Sequence, residues 1–435
     1  VTIGETTPAH TGTPANTGMS VRRWDARAGR PAGAPRGAPP PRAPVRILEL
    51  HGRAQRYAWG SPTAIPDLLD VPSDGEPVAE LWLGTHPQAP AEVVDTATAG
   101  RRAAAELVGE LPFLLKVLAA DKALSLQVHP NAEQARAGFD AERAAGIAPD
   151  DPRRRYRDRN HKPELIVALT PFRALAGIRA PGATRAIARG LGHPGLIAAF
   201  APLATDPTGG ATQVLRSLLT LPPQAGEELA AGVVAAAERV SPDADEQLRR
   251  AAELVLLLAE THPGDVGIAA ALLLNDVTLR PGEGLFQPAR LLHAYVQGVG
   301  IEIMATSDNV LRGGLTPKHI DVDELLRVLD PRPTSAPVLT PRPLATGPGG
   351  QLRAWDVPVD DFVLREAVCT GGSVAVPDTC VLLAVEGSVE VAGTDLAGSP
   401  LAPMTLRRGG SALVTGPAAL TLTGTGRVFA AGSRG

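Results

Sequence analysis

Apolar and polar positions change rhythm several times along the chain. Between Val45 and Arg179 the apolar residues come in short runs, VRILEL, AELWLGT, PFLLKVL, ALSLQVH and ELIVAL, broken by Gly, Pro and Asp. Short runs bounded by turn residues predict the strands of a multi-stranded β-domain. One helix interrupts them: residues 131–145 open on Asn131, a good N-cap, and continue in strong helix formers. From about Gly182 to Asn275 the spacing becomes helical, as in ELAAGVVAAAERV and LRRAAELVLLLAE, with the turn signals DPTGG and SPDAD between runs. Strand-like runs return at Asp276 through GLFQPA, LLHAYVQ and GIEIMAT, and VDELLRVLD predicts a short helix.

Residues 330–350 are rich in Pro and Gly without apolar periodicity, and they read as a connection lacking regular elements. Beyond it, from Leu352 to Ala431, alternation in VLLAVEGSVEVAG, ALVTG and ALTLTGTG predicts about eight short strands of a small sandwich or jelly roll. The fold class is therefore mainly β with a helical insertion. A chain of 435 residues accommodates two or three domains. The expected partition is a β-domain from 46–181 and 276–330, a helical insertion 182–275, a linker 331–351 and a β-domain 352–435. Residues 1–45, dominated by Thr, Ala, Pro, Gly and Arg, have too few large apolar side chains to form a core and are expected to be a disordered leader.

Composition narrows the class of function. With 44% hydrophobic and 20% charged residues the chain reads as a folded soluble protein. A net charge of −4 gives no electrostatic footprint for nucleic acid or a membrane surface, so a small-molecule partner is expected. The one dense basic run, RRRYRDR from Arg153 to Arg159, reads as a solvated loop, with anion capture as the alternative. Cys369 and Cys380 form no disulfide framework, and no run approaches the ~18 apolar residues of a membrane helix. A cytoplasmic monomer is the expectation.

Four segments carry candidate chemistry. In Ser125-Leu-Gln-Val-His129, strand alternation puts Leu124, Leu126 and Val128 on one face and Ser125, Gln127 and His129 on the other. A carboxamide oxygen and an imidazole nitrogen then sit close enough to share a cation, although a lone strand His is more often simply hydrogen-bonded. Asn160-His-Lys-Pro-Glu164 sets polar residues immediately before the apolar run LIVAL. Pro288 to Gly298 carries a single His, His293, among apolar residues. Two His, one Glu and one Gln suit divalent zinc and leave a position open for substrate. The fourth segment, Gly300 to Lys318, brings Glu302, Arg312 and Lys318 into one stretch, and its cations suit a phosphorylated substrate. Taken singly, each segment reads equally well as ordinary structure.

Together the segments resemble the type I mannose-6-phosphate isomerases over about residues 46 to 330: RYAWGS, AELWLGTHP, PFLLKVLAADKALSLQVHP, NHKPEL and HAYVQGVGIEIMATSDNVLRGGLTPKHID, in that order. The resemblance implies one Zn2+ per chain, held by Gln127, His129, Glu164 and His293. Leu292 departs from the Pro that commonly precedes the last ligand. The resemblance also implies two cupin-like jelly rolls flanking an α-helical domain. It implies aldose-ketose isomerisation of mannose 6-phosphate through an enediol, with no redox cofactor. Glu302, one strand beyond His293, is the expected base and Arg312 the expected stabiliser of developing charge, with Lys162 in the same catalytic set. Substrate contacts are expected from Ser125, Lys116, Lys318 and Tyr295, the last sharing a strand face with His293. Two rival readings remain: a non-catalytic cupin that binds a sugar phosphate, and an isomerase of another aldose.

Overall fold

Strand Phe113–Ala120 is buried along its whole length because its two faces meet different neighbours. Phe113, Leu115, Val117 and Ala119 point into an apolar layer that also holds Leu81, Leu83, Leu165, Val167, Ile301 and Ile303. The alternate positions Lys116 and Leu118 point the other way, into a large cavity. This division of faces positions the functional site. The computed structural model describes residues 44–95, 100–148, 150–151 and 153–434, so the expected leader lies outside the described residues except for its last two positions.

Among the described residues the strands form two sheets, and most pairing is antiparallel. The first sheet runs, edge to edge, Val338–Leu339, Gly284–Gln287, Glu164–Ala168, His293–Ala305, Phe113–Ala120, Glu80–Leu83 and Arg53–Gln55. Strand His293–Ala305 bends between two sets of partners. Its C-terminal part, from Gly298, pairs with Phe113–Ala120, and from Gly300 also with Glu164–Ala168. Its N-terminal part pairs with Phe172–Ile178 and, at His293, with Gln127. The second sheet is built mostly from the C-terminal third, but Ile47–His51 pairs with Ser411–Val414 and leads on to Glu92–Asp95 and Gly100–Ala103. The apolar layer is completed from this side by Trp355, Phe362, Leu364, Leu383 and Phe429.

Between Phe172–Ile178 and Leu274–Leu279 the chain is helical, with Pro181–Leu191, Gly210–Leu219, Pro223–Ala237 and Glu246–Thr261 as the longer helices. Their apolar stripes form a separate core around Val214, Leu215, Val233, Leu254, Val255 and Leu258. Asp245 caps Glu246–Thr261 by accepting from the Leu248 amide. Asn131 starts helix Ala132–Ala144 with a reciprocal capping box, its side chain bonded to the Gln134 amide and Gln134 to its own.

Three sequence expectations need correction. The connection at 330–350 contains strands Val338–Leu339 and Arg342–Gly347. Every residue of the latter is exposed, so backbone pairing with Gly350–Ala354 defines it and no apolar period could reveal it. The C-terminal third has fewer and longer strands than expected: Val363–Val376 spans 14 residues, and Val381–Asp395 and Ala418–Gly432 span 15 each. Glycines that read as turns are bends within these strands. At Gly387, φ is 70° and a Cβ would stand 2.1 Å from the Thr425 carbonyl oxygen, beside a register shift between Ala384 and Glu386. Finally, the run Arg153–Arg159 is only in part a solvated loop: Arg153, Arg157 and Arg159 are exposed, but the residues between them are not. Arg154 is buried and donates to the carbonyls of Ile147 and Tyr156, while Arg155 bridges Glu142 and Asp321.

Candidate functional site

The cavity side of the first sheet carries a row of ionisable groups because strand register places them on one face. Glu302 pairs with Lys116 and Ile166, Lys116 pairs with Trp82, and Glu164 pairs with Gln287 and Met304. His293 pairs with Gln127, which pairs in turn with Arg312. His293 and Glu302 stand nine positions apart on one strand, an odd offset that regular alternation would send to opposite faces. A bulge between Tyr295 and Gln297 takes up the extra residue. Gly298 follows at φ 133°, where a Cβ would lie 2.8 Å from the Phe172 Cα. Glu302 is thus on the same strand as His293, Ala305 being its last residue, and not one strand beyond it as the sequence suggested.

Three buried groups converge at one end of the cavity. Glu164 lies 3.5 Å from His129 Nε2 through Oε1 and 3.3 Å from His293 Nε2 through Oε2. The ligand atoms of all three lie within 4.8 Å of one another. Each imidazole is fixed from behind, His129 Nδ1 by the Asn309 carbonyl at 2.7 Å and His293 Nδ1 by the Leu291 carbonyl at 3.0 Å. A carbonyl can only accept, so both rings carry their proton on Nδ1 and turn an Nε2 lone pair toward Glu164. Burial pulls the His129 pKa down to about 4 against the opposing pull of Glu164, so the ring is neutral at pH 7. Burial pushes Glu164 up, but the Lys162 ammonium, 3.0 Å away, leads the opposing influences and the carboxyl is held well below its ordinary range.

This donor set fits a metal ion. His129 Nε2 is buried and has no hydrogen-bond partner, an arrangement that costs about 1–3 kcal/mol unless something takes its lone pair. Two neutral imidazoles and one carboxylate are the donors zinc accepts, and Gln127 on the shared face offers a fourth. Gln127, Glu164 and His293 line a cavity of ≈1610 Å³, and His129 stands behind Glu164. The two-residue strand Gln127–Val128 preserves the expected alternation, with Leu126 and Val128 in the helical core and Gln127 and Ser125 in the cavity wall. Leu124 does not follow it: it lines the cavity with Ser125 and Gln127 and packs against a different apolar cluster.

A second buried network occupies the middle of the cavity. Lys116 Nζ is 3.0 Å from Glu302 and 3.4 Å from Glu80, and it lies over the Trp82 ring. Tyr295 donates to Glu302 at 2.7 Å and contacts Gln287 Oε1 at 3.0 Å, while Gln287 Nε2 is buried without a partner. One hydroxyl proton cannot serve two oxygens. With the Gln287 amide reversed, Nε2 donates to the tyrosine oxygen and both requirements are met. Burial lowers the Lys116 pKa but the carboxylates Glu302, Glu80 and Glu164 reverse this and raise it. Burial raises the Glu302 pKa, with Glu164 and Glu80 adding to the effect and Lys116 opposing it.

The cavity lining also carries cations without carboxylate partners. Arg312 is half-buried and Lys318 lies at the mouth, and neither side chain has an ion pair among the described residues. Arg312 lowers the Lys318 pKa, with burial and Arg157 adding to it. Unneutralised positive charge in a cavity is a receptor for an anion.

All the residues singled out in the sequence therefore reach one site. Sequence reasoning missed Glu80, Trp82, Gln287 and Arg157, as well as Asp308, which takes a hydrogen bond from Gln88 and lies 3.4 Å from buried His86. Glu80 and Trp82 alternate within AELWLGT, a signal available in the sequence; Asp308 and Arg157 sit in loops, where no period marks them.

A family model for the catalytic domain of type I phosphomannose isomerases matches residues 47–180. The mannose-6-phosphate isomerase of Salmonella typhimurium is 37% identical over 361 residues, covering 78% of this chain and 89% of that protein. A crystal structure of a variant of the Salmonella typhimurium phosphomannose isomerase superimposes with a TM-score of 0.78 at 32% identity, covering 89% of this chain and 99% of the other. A zinc-bound mannose 6-phosphate isomerase gives 0.77 at 31% identity with the same coverage. On these grounds the chain belongs to the type I phosphomannose isomerase family, also called mannose-6-phosphate isomerases.

Proposed function

We propose that this chain interconverts mannose 6-phosphate and fructose 6-phosphate through an enediol, in a cavity where Gln127, His129, Glu164 and His293 hold one Zn2+. The observation that carries this reading is the pairing, in one cavity, of a buried His-Glu-His cluster with unneutralised cations, Arg312 among them on the strand beside Gln127. Kinship with mannose-6-phosphate isomerases, one of them solved with zinc, supports the substrate and the metal. When bound, zinc supplies Lewis acidity toward the oxygens on C1 and C2 of the open-chain sugar.

The chain's own residues do the rest. Arg312 and Lys318 take the phosphate or the developing enediolate charge, with Ser125 beside them in the wall. Glu302 takes the proton from C2 and returns it to C1, a role that suits a carboxylate whose pKa is raised by burial. Tyr295 and Lys116 hold its two oxygens in place, and Lys162 orients Glu164. We read the architecture as two cupin-like jelly rolls, 46–181 with 276–330 and 352–435, flanking a helical domain 182–275.

The test is turnover of mannose 6-phosphate by purified protein with and without a chelator, and with mannose as a second substrate. Chelator-sensitive conversion of the phosphorylated sugar alone is expected. Tight binding without turnover in the zinc-loaded protein would replace this reading with the non-catalytic binder, and equal turnover of mannose with another aldose isomerase. In His293→Ala, bound zinc and activity should be lost together; retained stoichiometric metal removes this residue from the site.

A further inference from the structure

A second cavity, of ≈650 Å³, lies between the start of helix Glu246–Thr261 and strand Leu274–Leu279. It shares no lining residue with the catalytic cavity. Arg179 forms part of its wall and is 8% exposed. Its Nε donates to the Leu274 carbonyl at 3.0 Å, and its two terminal guanidinium nitrogens have no hydrogen-bond partner among the described residues. Two carboxylates line the cavity: Glu246, which is exposed, and Asp276, which is already committed. Asp276 is held by Arg173 through two bonds of 3.0 and 2.8 Å and approached by Arg250 at 3.4 Å. Arg179 has no ion pair among the described residues, and burial lowers its pKa despite Asp276.

A guanidinium stays charged in a protein, so a buried one without a counter-charge is costly unless an anion completes it. Its planar fork matches the two oxygens of a carboxylate or phosphate. Around it, Gln247 and Ser335 supply hydrogen-bonding groups. Asn275 spends its two amide protons on the carbonyls of Ala176, Gly177 and Thr334, one proton being shared, and keeps its oxygen as an acceptor. Ala251, Val277, Ala336 and Val338 add an apolar floor. The volume is that of a small-molecule site.

The geometry points to a second ligand site in this cavity, taking a small oxyanion, a carboxylate or phosphate monoester with adjacent hydroxyls, on the Arg179 fork. The site is joined to the catalytic cavity by helix Glu246–Thr261. Its first turns, with Gln247 and Arg250, line the second cavity, while Glu260, Thr261 and His262 line the first, roughly 20 Å away along the helix axis. His262 Nε2 contacts the Ala123 carbonyl, two residues before Ser125.

Calorimetric titration of the full chain with inorganic phosphate, and separately with citrate, tests this. Wild type is expected to bind at a site that survives Arg312→Ala, and Arg179→Gln should lose that site while keeping kcat and KM within about twofold. Without ligand Arg179→Gln should melt no lower than wild type, because a buried uncompensated charge has been removed. Ser335→Glu, at an exposed position, sets a carboxylate before Arg179 and should close the site without disturbing the core. Preference for phosphate or for citrate assigns the ligand class. Binding of neither probe, or unchanged binding in both Arg179→Gln and Ser335→Glu, overturns the inference. Because calorimetry reads binding, failure of the isomerase assay leaves it standing.

Discussion

Two buried carboxylates, one in each sheet, show how the same chemistry serves structure in one place and function in another. Glu366 is 0% exposed and is gripped by Arg353 and Arg427, and Arg427 reaches on to Glu386 at the surface. Every charge in that cluster has a counter-charge. Glu164 is 4% exposed and also touches basic residues, but two of them are imidazoles turned so that their lone pairs face it. Arginine cannot give up its proton, so the Glu366 cluster is closed. Histidine can, and the Glu164 cluster keeps donor atoms that only a cation satisfies.

The largest expected effect comes from opening the closed cluster. Glu366→Ala leaves two guanidinium groups partly buried against each other and should cost about 3–5 kcal/mol of stability. Thermal or urea unfolding reads the loss, and kcat should stay at the wild-type value because Glu366 lies in neither cavity. A variant that unfolds like wild type would mean that the cluster is solvated well enough not to matter, and the contrast with Glu164 would collapse.

The reverse experiment removes a charge that has no partner. Arg312→Ala should lower kcat/KM by about 10²–10³, the effect of losing one preorganised group that meets developing charge. Its unfolding midpoint should not fall, since no ion pair is broken. Loss of stability without loss of activity would show Arg312 to be structural and would erase the distinction from the other side.

The sequence revealed much of this contrast, though not evenly. Alternation in Ser125 to His129 marked the cavity face, and family resemblance supplied Glu164 and His293 and read Arg312 as a stabiliser of developing charge. Helix Ala132–Ala144 was legible from Asn131 and its helix formers. The Glu302 face was not, because it depends on a bulge near Val296 that reverses the alternation and on Gly298, and a one-residue slip of that kind leaves no period behind. Glu366 was not singled out either. Its partners Arg353 and Arg427 stand 13 and 61 positions away, and only long-range strand pairing brings them together. Arg179 lay at the end of a predicted strand domain with nothing to mark it as unpaired.

The smallest effect lies at the solvent end of the closed cluster and sharpens the comparison most finely. Glu386 is 58% exposed at its side chain and, among the described residues, its side chain bonds only to Arg427, whose other nitrogens remain on Glu366. Water replaces a lost carboxylate there at little cost, so Glu386→Gln should change stability by only ~0–1 kcal/mol. The residual effect is Coulombic between partly solvated groups and should shrink as salt is raised toward 1 M, where screening acts within about 3 Å. Unfolding of wild type, Glu386→Gln, Glu366→Ala and the double variant at low and high salt forms a double-mutant cycle. A coupling comparable to the Glu366 loss would mean that Glu386 neutralises Arg427 as fully as Glu366 does. Burial would then not be what separates a carboxylate that holds this fold together from one that merely decorates its surface.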